Sequence, residues 1–275
     1  MSNFRENMIN IAKDTIAISE QGEYTLGRML FKLDNKSETK LFESKDFDKI
    51  AKTIKEQKQK HNFIVLYRPE STLKTIYRYR DIRPSTRLGV LNFASAYHAG
   101  GGFLNGAMAQ EESLAYCSNL YRKQTTGEGK LFYIKNEKEH NAFYTDNMLM
   151  SNVTFFKNDK YQLVYPFVCQ VLTSPAVNVT LAKNKGFSDE SIEVAMKNRM
   201  RKILQLFVYS NCDTIILGAF GCGVFGNQPE TVARLWNELI YDEDLGSYFR
   251  LIIFSIYDRN GSNNYETFFN MRNQE

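Results

Sequence analysis

The stretch "RLGVLNFASAYHAGGGFLNGAMAQEE", residues 87–112, holds the features that decide the fold. Leu88, Val90, Leu91 and Phe93 form a near-continuous apolar run that ends in the small residues Ala94, Ser95 and Ala96. That pattern predicts a strand buried on both faces and opening into a loop. The loop carries three consecutive glycines, Gly100, Gly101 and Gly102, and seven residues later come Gln110, Glu111 and Glu112 at the expected start of a helix. Glycines let a backbone pass close to a ligand or another group without side-chain hindrance.

If the helix begins near Gln110, with Leu114, Cys117 and Tyr121 on its buried stripe, Glu111 and Glu112 lie in the first turn and point about 100° apart. They must then have different surroundings. Acids in a first turn complement the helix dipole, which lowers a carboxyl pKa. A second carboxylate and burial raise it, which would let one of the pair keep a proton near neutrality for general-acid work. The sequence leaves both readings open.

Working outward, periodicity predicts amphipathic helices near 4–18 and 46–60 and a strand at "FIVLY", 63–67. Further on come a buried strand leaving through a proline turn in 163–178, a long helix over 189–210, the strand "DTIILGAF", a helix near 229–243 and the strand 251–257. The stretch "RKQTTGEGK", 122–130, reads as an exposed polar loop. Solid apolar strands alternating with helices imply an α/β fold, a mixed and mostly parallel sheet flanked by helices on both faces. We read the 275 residues as a single domain, with an N-terminal helical extension over about 1–60 and a core over about 61–275.

A second glycine segment, "LGAFGCGVFGNQPETVARLW", 217–236, lies between a buried strand and a helix. Gly221, Gly223 and Gly226 spell G-x-G-x-x-G, which on its own would suggest a nicotinamide-dependent oxidoreductase. That class needs an acid about 20 residues on, at the end of the next strand. Asp242, Glu243 and Asp244 fall before that strand and Asp258 far beyond the required distance, so the oxidoreductase reading fails. What remains is an anion cradle, with backbone N–H groups exposed where glycines lead towards a helix, or simply a tight connection. Phe225 is placed either against a sugar or base or in the core.

Composition narrows the setting. The formal charge of +4, from 35 bases and 31 acids, is too small to argue for sequence-specific nucleic-acid binding. The N-terminus has no uninterrupted apolar block and no segment approaches a membrane span, so neither a signal peptide nor membrane insertion is expected. Cys117, Cys169, Cys212 and Cys222 form no CxxC pair and suggest reduced thiols in cytoplasm or nucleus. His61, His98 and His140 show no ligand spacing, so neither a metal nor another cofactor is expected.

The glycine triplet with Gln-Glu-Glu, "VLNFASA" before it, "SLAYCSNLY" after it and the distant "LGAFGCGVFGN" together resemble the compact microbial-type poly(ADP-ribose) glycohydrolases, a macrodomain family, from about residue 88 to 258. The N-terminal helix and "GEYTL" look similar too, though less specifically. The resemblance implies a macrodomain-like core that hydrolyses ribose–ribose O-glycosidic bonds of poly(ADP-ribose), from chain ends, and releases ADP-ribose. It implies Glu112 as the catalytic acid, Glu111 and Asn92 as ribose contacts, Gln110 in the binding site and Gly100 to Gly102 against the diphosphate. It also implies a diphosphate on the backbone of Gly221, Cys222, Gly223, Val224, Phe225 and Gly226, with Phe225 positioning the sugar. His98 departs from the Arg-Asn-Pro more often found there. It either contacts the distal ribose or faces solvent. The alternatives are an ADP-ribose reader without activity, and a hydrolase of mono-ADP-ribosylated protein or nucleic acid.

Overall fold

The computed structural model describes residues 2–35, 38–56, 60–82, 86–139, 146–258 and 261–271. Its elements begin with α1 (Ser2–Gln21), the hairpin strands β1 (Glu23–Leu26) and β2 (Met29–Lys32), β3 (Thr39–Phe42), α2 (Phe47–Lys55), β4 (Ile64–Arg68) and α3 (Thr72–Ile82). The quoted stretch supplies β5 (Leu88–Phe93) and α4 (Gln110–Ala115), followed by α5 (Leu120–Thr125), α6 (Gly127–Glu139), β6 (Met148–Lys157) and β7 (Leu163–Ser174). The chain continues through α7 (Val179–Asn184), α8 (Asp189–Tyr209), β8 (Thr214–Leu217), α9 (Pro229–Asn237), β9 (Leu251–Ser255) and α10 (Asn264–Met271). Strand order along the main sheet is β3-β6-β7-β5-β8-β9-β4, a mixed α/β sheet flanked by helices, with β5, β8, β9 and β4 as its parallel part.

The chain divides into two compact units, and the division falls inside β5 between Leu91 and Asn92. The unit made of 43–91, 139–146 and 175–275 holds the parallel strands, in register at Leu88 with Thr214, Thr214 with Leu251 and Ile64 with Leu251. Val90, Ile215, Ile216, Ile252 and Ile253 are fully buried, which explains why these strands read as solid apolar runs. Trp236 of α9 and Phe268 of α10 pack on Phe254 of β9.

The other unit, 1–42, 92–138 and 147–174, contains antiparallel β3-β6-β7 and the hairpin β1-β2. The hairpin closes over Phe156 through Tyr24, whose hydroxyl donates to the Val164 carbonyl. Strand β7 is buried only in its second half, since Tyr165 and Val168 are exposed. Helix α1 is tied to the strand-and-helix layer. Thr15 Oγ donates to the Tyr116 carbonyl at 2.8 Å, and the buried Lys157 ammonium reaches Asp14 and Thr15.

The segment expected to be an exposed loop, 122–130, is instead the end of α5 and the start of α6, with Lys123 and Gln124 buried. The helix expected over 46–60 ends at Lys55, and residues 57–59 lie outside the described part. The helices and strands expected near 4–18, 63–67, 189–210 and 251–257 occur close to those limits. Cys117, Cys169 and Cys212 are buried and in no disulfide, and burial pushes the Cys117 thiol up to about 12. No helix among the described residues is long and apolar enough to cross a membrane.

Gly89 in β5 shows how tightly α8 lies on the parallel strands. A Cβ there would fall 2.7 Å from the Phe207 ring and 2.8 Å from Cys212 Sγ. Gly89→Val is therefore expected to lower the unfolding free energy by about 1–3 kcal/mol in chemical denaturation. Unchanged stability would contradict this packing.

Candidate active site

Asn92, one residue from the end of β5, is fully buried, and its Nδ2 donates to Glu111 Oε1 at 3.1 Å and to Thr173 Oγ at 3.2 Å. Glu111 and Glu112 are only 3% and 7% exposed, so neither is a solvated first-turn acid. Their surroundings differ, as the helical rotation requires.

Glu111 accepts from the Ser95 amide at 2.8 Å, from Gln124 Nε2 at 2.8 Å and from Asn92. Burial pushes its carboxyl up to about 7, with the neighbouring Glu112 charge adding to the rise and the three hydrogen bonds opposing it. Glu112 accepts from the Gly102 amide at 2.8 Å and the Ala109 amide at 2.9 Å. Ala109 precedes the first turn of α4, so Glu112 also caps its own helix. Gln110 Oε1 accepts from the Phe93 amide at 2.9 Å and ties α4 to the end of β5.

The glycine triplet serves this arrangement directly. Its amides all have protein acceptors: Gly100 donates to Gln124 Oε1, Gly101 to the His98 carbonyl and Gly102 to Glu112. Gly101 has φ +60°, and a Cβ there would sit 2.4 Å from Glu112 Oε1. The missing side chains thus admit the carboxylates of the same unit. Tyr116 closes the turn, its hydroxyl within 3.1 Å of the Phe103 carbonyl and 2.9 Å of the Ala107 carbonyl.

Sequence reasoning missed Gln124, which bridges Glu111 and Gly100 from a segment read as solvated. Its burial follows its two partners and leaves no periodic trace. The expected stripe on α4 is shorter than anticipated: Leu114 is buried on it, Cys117 is buried beyond its end at Ala115, and Tyr121 belongs to α5 and is half-buried. His98 is exposed, with its amide donating to Ser95 Oγ. His61 donates its amide to the Ser247 carbonyl, and His140 lies outside the described residues. Among the side-chain polar atoms of this unit that are buried without a hydrogen-bond partner are Asn92 Oδ1 and the Tyr133 hydroxyl. Burial and the charge of Glu111 hold the Tyr133 phenol well above its ordinary range.

The second glycine loop, in the other unit, leaves β8 at Leu217 and enters α9 at Pro229, with Gln228 before the first turn. The glycine pattern therefore ends before the helix rather than opening it. Gly221 has φ +76°, and a Cβ there would meet Ala176 Cβ and Asn227 Nδ2, each at 2.6 Å. Asn227, also missed, pins the loop by donating to the carbonyls of Val177 at 2.8 Å and Gly221 at 3.1 Å. Phe225 is half-buried, and its carbonyl accepts the Val179 amide. Cys222 is half-buried as well. Around Gly223 a Cβ would meet nothing within 4 Å, and Val224 is 94% exposed, so the turn presents bare backbone.

An α/β fold with two adjoining buried carboxylates, held by amides and carboxamides, defines a site suited to proton transfer at a bound substrate. Residues 12–158 match the family description "Microbial-type PARG, catalytic domain", where PARG is poly(ADP-ribose) glycohydrolase. Among solved structures, the enzyme of that name from Thermomonospora curvata, bound to the inhibitor ADP-HPD, is 29% identical, with 97% of this chain and 100% of that chain covered and a TM-score of 0.85. The Deinococcus radiodurans enzyme in complex with ADP-ribose is 30% identical over 86% of this chain and 94% of that one, with a TM-score of 0.79. No curated protein matches the chain. The chain belongs to the microbial-type PARG family.

Gly101→Ala tests the close approach of loop and carboxylates. It combines a left-handed backbone with the 2.4 Å encounter and is expected to lose about 1–3 kcal/mol of unfolding free energy. Parent-like stability in a denaturant titration would contradict the arrangement.

Proposed function

We propose that this protein hydrolyses poly(ADP-ribose) at ribose–ribose O-glycosidic bonds, acting at chain ends and releasing ADP-ribose, with Glu112 as the proton-transferring group. The observation that carries the reading is the pair of buried carboxylates in a member of the microbial-type PARG family. A relative with ADP-ribose bound supports the product class.

The chemistry follows from the pair. A protonated Glu112 gives its proton to the departing 2′ oxygen as the C1″–O bond breaks and the sugar gains oxocarbenium character. Water then attacks C1″ and its proton returns to the Glu112 carboxylate. Burial pushes the Glu111 carboxyl up to about 7, which keeps a proton in the site near neutrality beside Glu112. Glu111 and Asn92 bind ribose hydroxyls. The buried, unfilled Asn92 Oδ1 is an acceptor of the kind a sugar hydroxyl would satisfy. Gln110 supports this wall through β5.

We assign the bare backbone of Gly221 to Gly226 to a diphosphate and Phe225 to a sugar, and we treat the 275 residues as one functional domain. Cysteines that form no disulfide agree with action in cytoplasm or nucleus. A second reading, a reader that binds ADP-ribose without cleaving it, draws on the capping bond of Glu112, which gives that residue a structural use of its own.

Glu112→Ala is expected to reduce ADP-ribose release from purified poly(ADP-ribose) by at least about 100-fold, the usual weight of a positioned acid, while binding of ADP-ribose by calorimetry persists. Turnover by the parent eliminates the reader, and equal activity of the two proteins refutes the role of Glu112. Gly223→Val points a side chain into open space and is expected to fold normally yet bind ADP-ribose at least about ten-fold more weakly, through loss of close backbone approach. Unaltered affinity would remove the second loop from the binding site.

A further inference from the structure

A cleft between α1 and α5, with about 390 Å3 of space partly open to solvent, lies outside the carboxylate cluster. Its hydroxyls come from Thr15, Ser19, Ser118, Thr125 and Thr126. All five donate their protons to backbone carbonyls: Thr15 to Tyr116, Ser19 to Thr15, Ser118 to Leu114, Thr125 to Tyr121 and Thr126 to Arg122. Thr15 Oγ also accepts from the Lys157 ammonium and Ser118 Oγ from the Leu120 amide, so the lone pairs left for the cleft are those of Ser19, Thr125 and Thr126. Such a rim accepts hydrogen bonds and does not give them.

The cation of the cleft is Arg122, half-buried and without an ion-pair partner among the described residues. A guanidinium in that state offers a planar fork of donors matched to a phosphate. Glu20 lines the same cleft and adds acceptors. One phosphate-binding fork beside several acceptors fits a ligand with an anionic group and a set of sugar hydroxyls. A free inorganic anion would use only the arginine.

Tyr121 connects this cleft with the glycine triplet. It lines the cleft, its ring stacks at a tilt on Phe103 with centroids 5.2 Å apart, and a Cβ on Gly100 would lie 3.1 Å from it. We propose that the α1–α5 cleft is a second binding site for a ribose-phosphate group, which holds an ADP-ribose unit of the polymer through Arg122 while another unit is cleaved. The proposal rests on the hydrolase reading given above. Its consequence is that long chains gain an attachment that the shortest ones lack, through a single tethered contact.

Calorimetric titration of the parent with ADP-ribose at low salt is expected to show two binding events, the weaker one abolished in Arg122→Gln. The same variant is expected to raise the KM for long polymer about three-fold, the scale of one partly exposed ion pair, with kcat and the cleavage of a chain with a single cleavable bond unchanged. Loss of the weaker event when inorganic phosphate competes, with the KM unaltered, identifies a phosphate site unconnected with the polymer and overturns the proposal. One binding event in a parent that hydrolyses the polymer also overturns it, and leaves the catalytic reading intact. A parent that binds no ADP-ribose at all overturns both.

Discussion

Two carboxylates one residue apart, both more than nine-tenths buried, constrain everything around them. A buried charge without partners is costly, so the fold must bring donors to four oxygens inside one short turn. It does so from four directions, one of them the Ala109 amide at the start of α4. The β5 end and its following loop supply Asn92 and the Ser95 amide, the glycine triplet supplies Gly102, and α5 supplies Gln124. The triplet lies against the acids because any side chain at Gly101 would collide with one of them. Strand, loop and helix are thus fixed by one requirement for hydrogen bonds.

The same requirement separates the two glutamates chemically. Glu112 receives backbone amides only, from groups that cannot move without unravelling the loop or the helix start. Glu111 receives one amide and two side-chain carboxamides, and lies deeper. Adjacent acids with unlike surroundings are the usual means by which one fold gives two carboxyls different roles. The proposed hydrolysis needs that asymmetry. It also needs a rigid wall, which the ties from Gln110 to Phe93 and from Thr15 to the Tyr116 carbonyl provide.

Much of this was legible in the sequence because it leaves local marks. The apolar run 88–93, the glycines and the seven-residue spacer to Gln110 specify strand, loop and helix start without reference to the rest of the chain. Gln124 left no such mark. A polar residue between Lys123 and Thr125 looks solvated until its partners are known, and those partners lie 13 and 24 residues away. Asn227 was hidden in the same way, its role being to hold carbonyls of a distant turn. The hairpin β1-β2 and β3 escaped because four-residue strands give too few alternations for a period. In β6, Ser151, Asn152 and Thr154 interrupt an otherwise apolar run, yet two of the three are buried against neighbours the sequence does not reveal.

The central claim is that burial leaves one member of the carboxylate pair protonated near neutrality while its neighbour is held by backbone amides. The direct measurement is an NMR titration of side-chain carboxyl carbons in 13C-labelled protein, with Glu111 assigned through Glu111→Gln. The account predicts a Glu111 transition at about 7. A transition near 4.5, the ordinary value for a glutamate, would contradict it.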